Sequence, residues 1–61
     1  MKRYSSLEDV EQAVNNGVVV YYNSTLYKVK KYINHYIVFC ESTSFSGGLI
    51  ELYNVKDFYS L

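Results

Sequence analysis

Apolar and polar residues alternate with two different periods along this chain, and the change falls at Gly17. Before it, Leu7, Val10, Ala13 and Val14 recur at helical spacing and form one apolar stripe. Ser5 or Ser6 can cap the start, and Glu8 or Asp9 follows three residues later, as in a capping box. Glu8, Asp9 and Glu11 lie where the positive end of a helix dipole favours anions, so they read as helix chemistry rather than a binding patch. Asn16-Gly17 is a left-handed stop signal. The pattern predicts a helix over residues 6–16.

After Gly17 the residues become β-branched and aromatic, and the period drops to two. VVVYY, at 18–22, reads as a first strand, ended by Asn23-Ser24-Thr25. LYKVKKYI follows as a second strand. Asn34-His35 suits a two-residue hairpin turn, because Asn tolerates a positive φ. HYIVFCE reads as the third strand, ESTSFSGG (Glu41 to Gly48) as a polar loop and LIELYNV as the fourth strand. KDFYSL closes the chain as a short helical turn or a last strand. The expected fold is α+β: one N-terminal helix packed on a four-stranded antiparallel meander, in a single domain spanning residues 1–61.

A turn at Asn34-His35 sets Ile33 opposite Tyr36, Tyr32 opposite Ile37, Lys30 opposite Phe39 and Lys28 opposite Glu41. The last is an opposite-charge pair, which supports the register. One sheet face then carries Tyr27, Val29, Ile33, Tyr36, Val38 and Cys40, interrupted by Lys31, and is the natural surface for the helix stripe. The other carries Leu26, Lys28, Lys30, Tyr32, Ile37, Phe39 and Glu41. If Glu41 pairs with Leu49 across the loop, Leu49, Glu51 and Tyr53 join this second face, and Ile50 and Leu52 go to the core. One helix cannot cover both faces. Large apolar groups on the second face point to a partner, a second copy or a ligand; alternatively, long Lys and Tyr side chains shield them.

Composition narrows the reading. A chain of 61 residues buries only about 60% of the surface its unfolded form exposes. Such domains call for a staple or a partner. Cys40 is the single cysteine and His35 the single histidine, so an internal disulfide is excluded and a Cys/His zinc site is not expected. Self-association or an unusually good core remains, and a hydrophobic content of 49% is a hint of an oligomer. Six basic and six acidic residues cancel. That argues against a long nucleic acid as partner, because counterion release needs excess Lys and Arg. After Met1-Lys2-Arg3 the chain turns polar at once, unlike a signal peptide, and no apolar run reaches the roughly 20 residues of a membrane span. With a lone thiol this places the expected location in a cytoplasm.

No catalytic, metal or cofactor site is expected. Cys40 points to the core in the expected register, far from His35, and reads as a structural thiol. Glu41 and Glu51 are more simply partners for Lys28 or Lys30 than a carboxylate dyad. Binding chemistry is better represented. Tyr32, Phe39 and Tyr53 suit stacking on a base, and Lys28 and Lys30 suit phosphates. In the loop, Ser44, Ser46 and Gly47 offer donors, with the Gly47-Gly48 backbone able to form an anion nest. Phe45, at the loop centre, is either a self-folded lid or a contact.

In size and in the make-up of VVVYY, LYKVKKY and STSFSGG, the chain resembles small phage proteins that counter bacterial defence. Some of these are oligomeric sponges that sequester nucleotide-derived immune signals at subunit interfaces. The resemblance is one of size and composition, and it transfers no site residue. It implies a non-enzymatic, phage-encoded homo-oligomer that captures a small anionic, nucleotide-like molecule. Two other readings stay open: direct inhibition of a host defence protein, and a small nucleic-acid-binding regulator.

Overall fold

The helix stripe and the period-two segments meet in one core. A computed structural model describes residues 1–43 and 45–61, the Phe45 side chain excepted. The expected roles of Ser44 and of the Phe45 side chain therefore lie outside the described residues. The elements are β1 (Lys2–Arg3), α1 (Leu7–Asn15), β2 (Tyr21–Tyr22), β3 (Ser24–Tyr32), β4 (His35–Cys40), β5 (Phe45–Leu49) and β6 (Phe58–Ser60). Single 3₁₀ turns at Ile50–Leu52 and Val55–Asp57 lead into β6. Among the described residues the strands form one antiparallel six-stranded sheet in the order β1-β6-β2-β3-β4-β5.

The class is α+β, but the sheet is not the expected four-stranded meander. Strands β2 to β5 do run in sequence. The two chain ends add β1 and β6, and β6 slots between β1 and β2. Pairs as short as Lys2–Arg3 carry no periodic signal of their own, and they exist because a distant strand lies beside them.

The helix ends where its local chemistry says. Ser6 is the N-cap, its hydroxyl accepting from the Asp9 N–H at 3.2 Å. The Ser5 hydroxyl donates to the Asp9 carboxylate at 3.1 Å. At the other end Gly17 adopts φ +83°. The Val18 N–H donates to the Ala13 carbonyl and the Gly17 N–H to the Val14 carbonyl, which satisfies the free carbonyls in a Schellman arrangement.

Strand boundaries differ more from expectation. Of VVVYY only Tyr21–Tyr22 joins the ladder; Val20 is buried in the core, while Val18 and Val19 stay exposed. Asn23, at φ +64°, turns the chain directly into β3. The β3–β4 turn is Ile33-Asn34 instead of Asn34-His35: Tyr32 pairs with His35, Lys30 with Ile37 and Lys28 with Phe39. The register is thus displaced by two residues. Side chains alternate with period two, so a displacement of two leaves both faces as expected. Val29 now opposes Val38, and Tyr27 opposes Cys40.

The polar loop is much shorter than expected. Phe45–Leu49 is strand β5, with Cys40 opposite Phe45, Phe39 opposite Ser46 and Ile37 opposite Leu49. Gly47 and Gly48 together oppose Val38 as a bulge. LIELYNV is not a strand: Ile50–Leu52 makes a 3₁₀ turn. Ile50 enters the core as expected, but Leu52 is 76% exposed. KDFYSL turns out to be both alternatives at once, helical turn and then strand.

The core lies between α1 and the inner sheet face. Val10, Val20, Val29, Val38, Ile50 and Phe58 are its buried members, with Tyr4 and Tyr36 at its margins. Both marginal tyrosines keep their hydroxyls satisfied, Tyr4 against Ser60 Oγ at 2.9 Å and Tyr36 by donating to Asn15 Oδ1 at 2.8 Å. Among the described residues no helix is long and apolar enough to cross a membrane.

Candidate functional site

Register alone builds a row of side chains across the outer sheet face. Arg3 of β1 opposes Tyr59 of β6, and Tyr59 opposes Tyr21 of β2. Tyr21 opposes Lys28 of β3, Lys28 opposes Phe39 of β4, and Phe39 opposes Ser46 of β5. Directly opposed residues share a face, so these six residues, one per strand, lie side by side. Lys30, Ile37 and Leu49 make a shorter parallel row.

Cations and rings interact along both rows. The Arg3 guanidinium carbon sits 5.3 Å from the Tyr59 ring centre, and Lys30 Nζ sits 5.1 Å from that of Phe39. Both are cation–π distances. Arg3 Nη1 also donates to the Lys56 carbonyl at 2.9 Å, which helps to hold the guanidinium over the ring. The Tyr21 and Tyr59 rings lie 5.6 Å apart, tilted by 36°. Lys28 Nζ reaches Glu41 at 2.9 Å, a diagonal contact in the observed register. That hydrogen bond and the carboxylate charge raise the lysine pKa above its ordinary value.

Of the residues proposed from sequence, Lys28, Lys30, Phe39 and Ser46 come together on this face. Tyr32 ends the same hairpin, paired with His35 and 59% exposed. Tyr53 and Gly47 do not join them. Because LIELYNV is not a strand, Tyr53 does not alternate outward; its ring packs 4.7 Å from that of Tyr22, against the core. The Tyr53 hydroxyl accepts from the Gly48 N–H at 3.1 Å, so this amide is already partnered rather than offered to an anion. A Cβ on Gly47 would lie 2.9 Å from that hydroxyl and 3.1 Å from the Val38 carbonyl. Bare backbone at Gly47 thus lets Tyr53 and β4 approach. Burial, then the charges of Asp57 and Tyr53, raise the pKa of Tyr22 beside them.

Sequence reasoning missed Arg3, Tyr21 and Tyr59. Arg3 and Tyr59 lie on terminal strands that have no pattern of their own. The parity of VVVYY is readable from sequence, but not which strand flanks it.

Other chemistry is sparse. Cys40 is a buried free thiol, 5% exposed, at the opposite end of β4 from His35. Its Sγ lies 3.3 Å from Ser42 Oγ, and hydrogen bonds from Ser42 and then Thr43 lower its pKa. Among the described residues no three His, Cys, Asp or Glu are grouped to hold a metal. A cleft of about 390 Å³ lies between β1 and α1, with Lys2, Arg3, Asp9, Gln12 and Asn16 on its walls.

No family model matches this chain, and neither a curated protein nor a solved structure matches it.

Proposed function

We propose that this is a non-enzymatic binding protein that captures a small anionic, nucleotide-like molecule on the outer face of its sheet. The observation that carries the reading is the Lys30–Phe39 pair, with Lys28 on the neighbouring register position. A base stacks on the ring and a phosphate meets the ammonium groups, the division of labour seen in nucleotide-binding surfaces generally. Ser46, one strand further on, adds a hydroxyl.

An open sheet covers only one side of a ligand. A second copy laid over Ile37 and Leu49 would close the other side, so the proposed working form is a homo-oligomer. The resemblance to phage anti-defence proteins supplies the wider setting, sequestration of a signal molecule in a host cell.

The test is a melting-temperature screen against mononucleotides and cyclic dinucleotides, joined to native mass spectrometry. A ligand of this class raises the melting temperature by mass action, and the oligomer carries its mass. Lys30→Ala weakens that binding roughly tenfold, or about 1.4 kcal/mol. Equal affinity in Lys30→Ala removes the lysine from the site.

A second reading is favoured by the exposure of Leu26, Ile33 and Leu49 around the same hairpin. An apolar patch with a charged rim also suits direct inhibition of a host protein. That reading requires a complex on gel filtration with no small molecule added.

A further inference from the structure

The net charge of zero hides a segregation. Helix α1 holds Glu8, Asp9 and Glu11 and has no Lys or Arg, whereas β3 has no acid and sets Lys28 and Lys30 on the outer face. The helix covers the inner face, so its acids stand away from the outer one. Among the described residues, one carboxylate forms an ion pair on the outer row, that of Glu41, and Lys28 already holds it. Whole-chain neutrality therefore says little about the potential over this surface.

The row is also long. The Arg3–Tyr59 pair and the Lys30–Phe39 pair are three interstrand steps apart, from β6 to β4. At about 4.8 Å a step, that is roughly 14 Å. Tyr21 and Lys28 fill the gap. One mononucleotide can engage one cation–ring pair, not both. A strand repeating about every 3.4 Å when stacked spans the gap with roughly four nucleotides.

We infer that the ligand of this face is a short run of single-stranded nucleic acid, laid across the strands from Arg3 to Phe39. The inference rests on the nucleotide-binding reading above and extends it from one nucleotide to several. Tyr59, Tyr21 and Phe39 form the stacking platform. Arg3 and Lys30 neutralise phosphates toward the two ends of the row, and Lys28, held by Glu41, lies between them. Linking nucleotides in one chain lets the second contact form at high effective concentration, so affinity grows with length without new chemistry.

The experiment is fluorescence anisotropy of the full chain with labelled oligothymidylate, competed by thymidine monophosphate and by oligomers of increasing length. The expected result is affinity that rises at least tenfold from the monophosphate to about four to six nucleotides, and then levels off. Two phosphate contacts, at Arg3 and Lys30, give a slope of about −1.4 for log affinity against log salt. Tyr21→Ala and Tyr59→Ala each weaken the longer oligomers about tenfold or more, while Tyr59→Phe, which keeps the ring, restores them. Lys31→Ala, on the same strand but the opposite face, leaves them unchanged. Affinity independent of length, with the monophosphate still bound, overturns the inference and spares the nucleotide-binding reading. Failure of the oligomers to bind where the melting-temperature screen finds a nucleotide ligand also overturns the inference alone, and failure of both experiments sinks the two together. Length-dependent binding with no salt dependence removes the cation row from the account. The length series uses the unaltered protein, so its outcome does not depend on any variant folding.

Discussion

The two faces of the β3–β4 hairpin are built from alternate residues of the same strands, yet they have opposite characters. The inner face sets Val29 against Val38 and Tyr27 against Cys40, under α1. The outer face, turned away from α1, sets Lys28 against Phe39 and Lys30 against Ile37. Burial is concentrated on the first face, and the proposed binding chemistry falls on the second. The period of two makes this separation possible, because neighbouring residues in a strand answer to different surroundings.

The largest test of that contrast compares two phenylalanines. Phe58 is fully buried, and Phe58→Ala is expected to cost about 3–5 kcal/mol through lost burial and a cavity. A domain of this size has roughly that much stability in total, so the variant should show no cooperative urea transition. Phe39→Ala on the outer face should keep its transition and lose about 1 kcal/mol. Equal losses would mean that the outer face is as much a core as the inner one.

Gly47→Ala comes next. The added methyl meets a backbone carbonyl that cannot swing away, and the expected loss is about 1–3 kcal/mol by urea denaturation. At Gly48 an added methyl would lie 2.6 Å from Leu52 Cδ1, the far end of an exposed, flexible side chain. Gly48→Ala should therefore cost much less.

A smaller effect of opposite sign is expected at the hairpin tip. Ile33 holds φ +57°, a region that penalises β-branched residues, and it is 73% exposed. Ile33→Gly removes the strain at little cost in burial, and should raise stability by about 1 kcal/mol. No gain would place the turn elsewhere, with Asn34-His35 as the first alternative.

The smallest effect is electrostatic. Glu41 raises the Lys28 pKa in the folded protein. A cation whose folded pKa exceeds its unfolded value adds stability that is complete below the unfolded value of 10.5 and is lost as pH climbs through the folded one. Melting temperatures through that alkaline range should fall more gently in Glu41→Gln than in the parent. Both residues are substantially exposed, so the difference is small and shrinks further in high salt.

Local signals are legible where local physics acts alone. The caps at Ser6 and Gly17 are satisfied by atoms within one or two turns, so a window of sequence contains the whole cause. The division of β3 and β4 into faces is legible too, even though the turn lies one residue earlier than expected and the register differs by two. Lys28, Lys30 and Phe39 can therefore be placed on one surface without coordinates. Tyr53 cannot, because its position depends on whether LIELYNV extends or turns. Apolar periodicity does not separate those outcomes in so short a run. ESTSFSGG reads as a loop because its residues favour turns, yet Phe45 to Gly48 belong to a strand paired with β4. In a strand at the sheet edge, tertiary pairing outweighs a weak local preference.

The order of apolar and polar residues is sufficient, by itself, for an α+β chain with one capped helix and a two-faced hairpin, since these depend on contacts a few residues apart. Only the tertiary structure decided that Lys2–Arg3 and Phe58–Ser60 would pair, that β6 would sit between β1 and β2, and that Arg3, Tyr59 and Tyr21 would extend the Lys28–Phe39 row across the sheet. The β1–β6 contacts join opposite ends of the chain, Lys2 with Ser60 and Arg3 with Tyr59. Two-residue strands have no intrinsic stability, and they form only when the packed core brings their partners to within hydrogen-bonding distance.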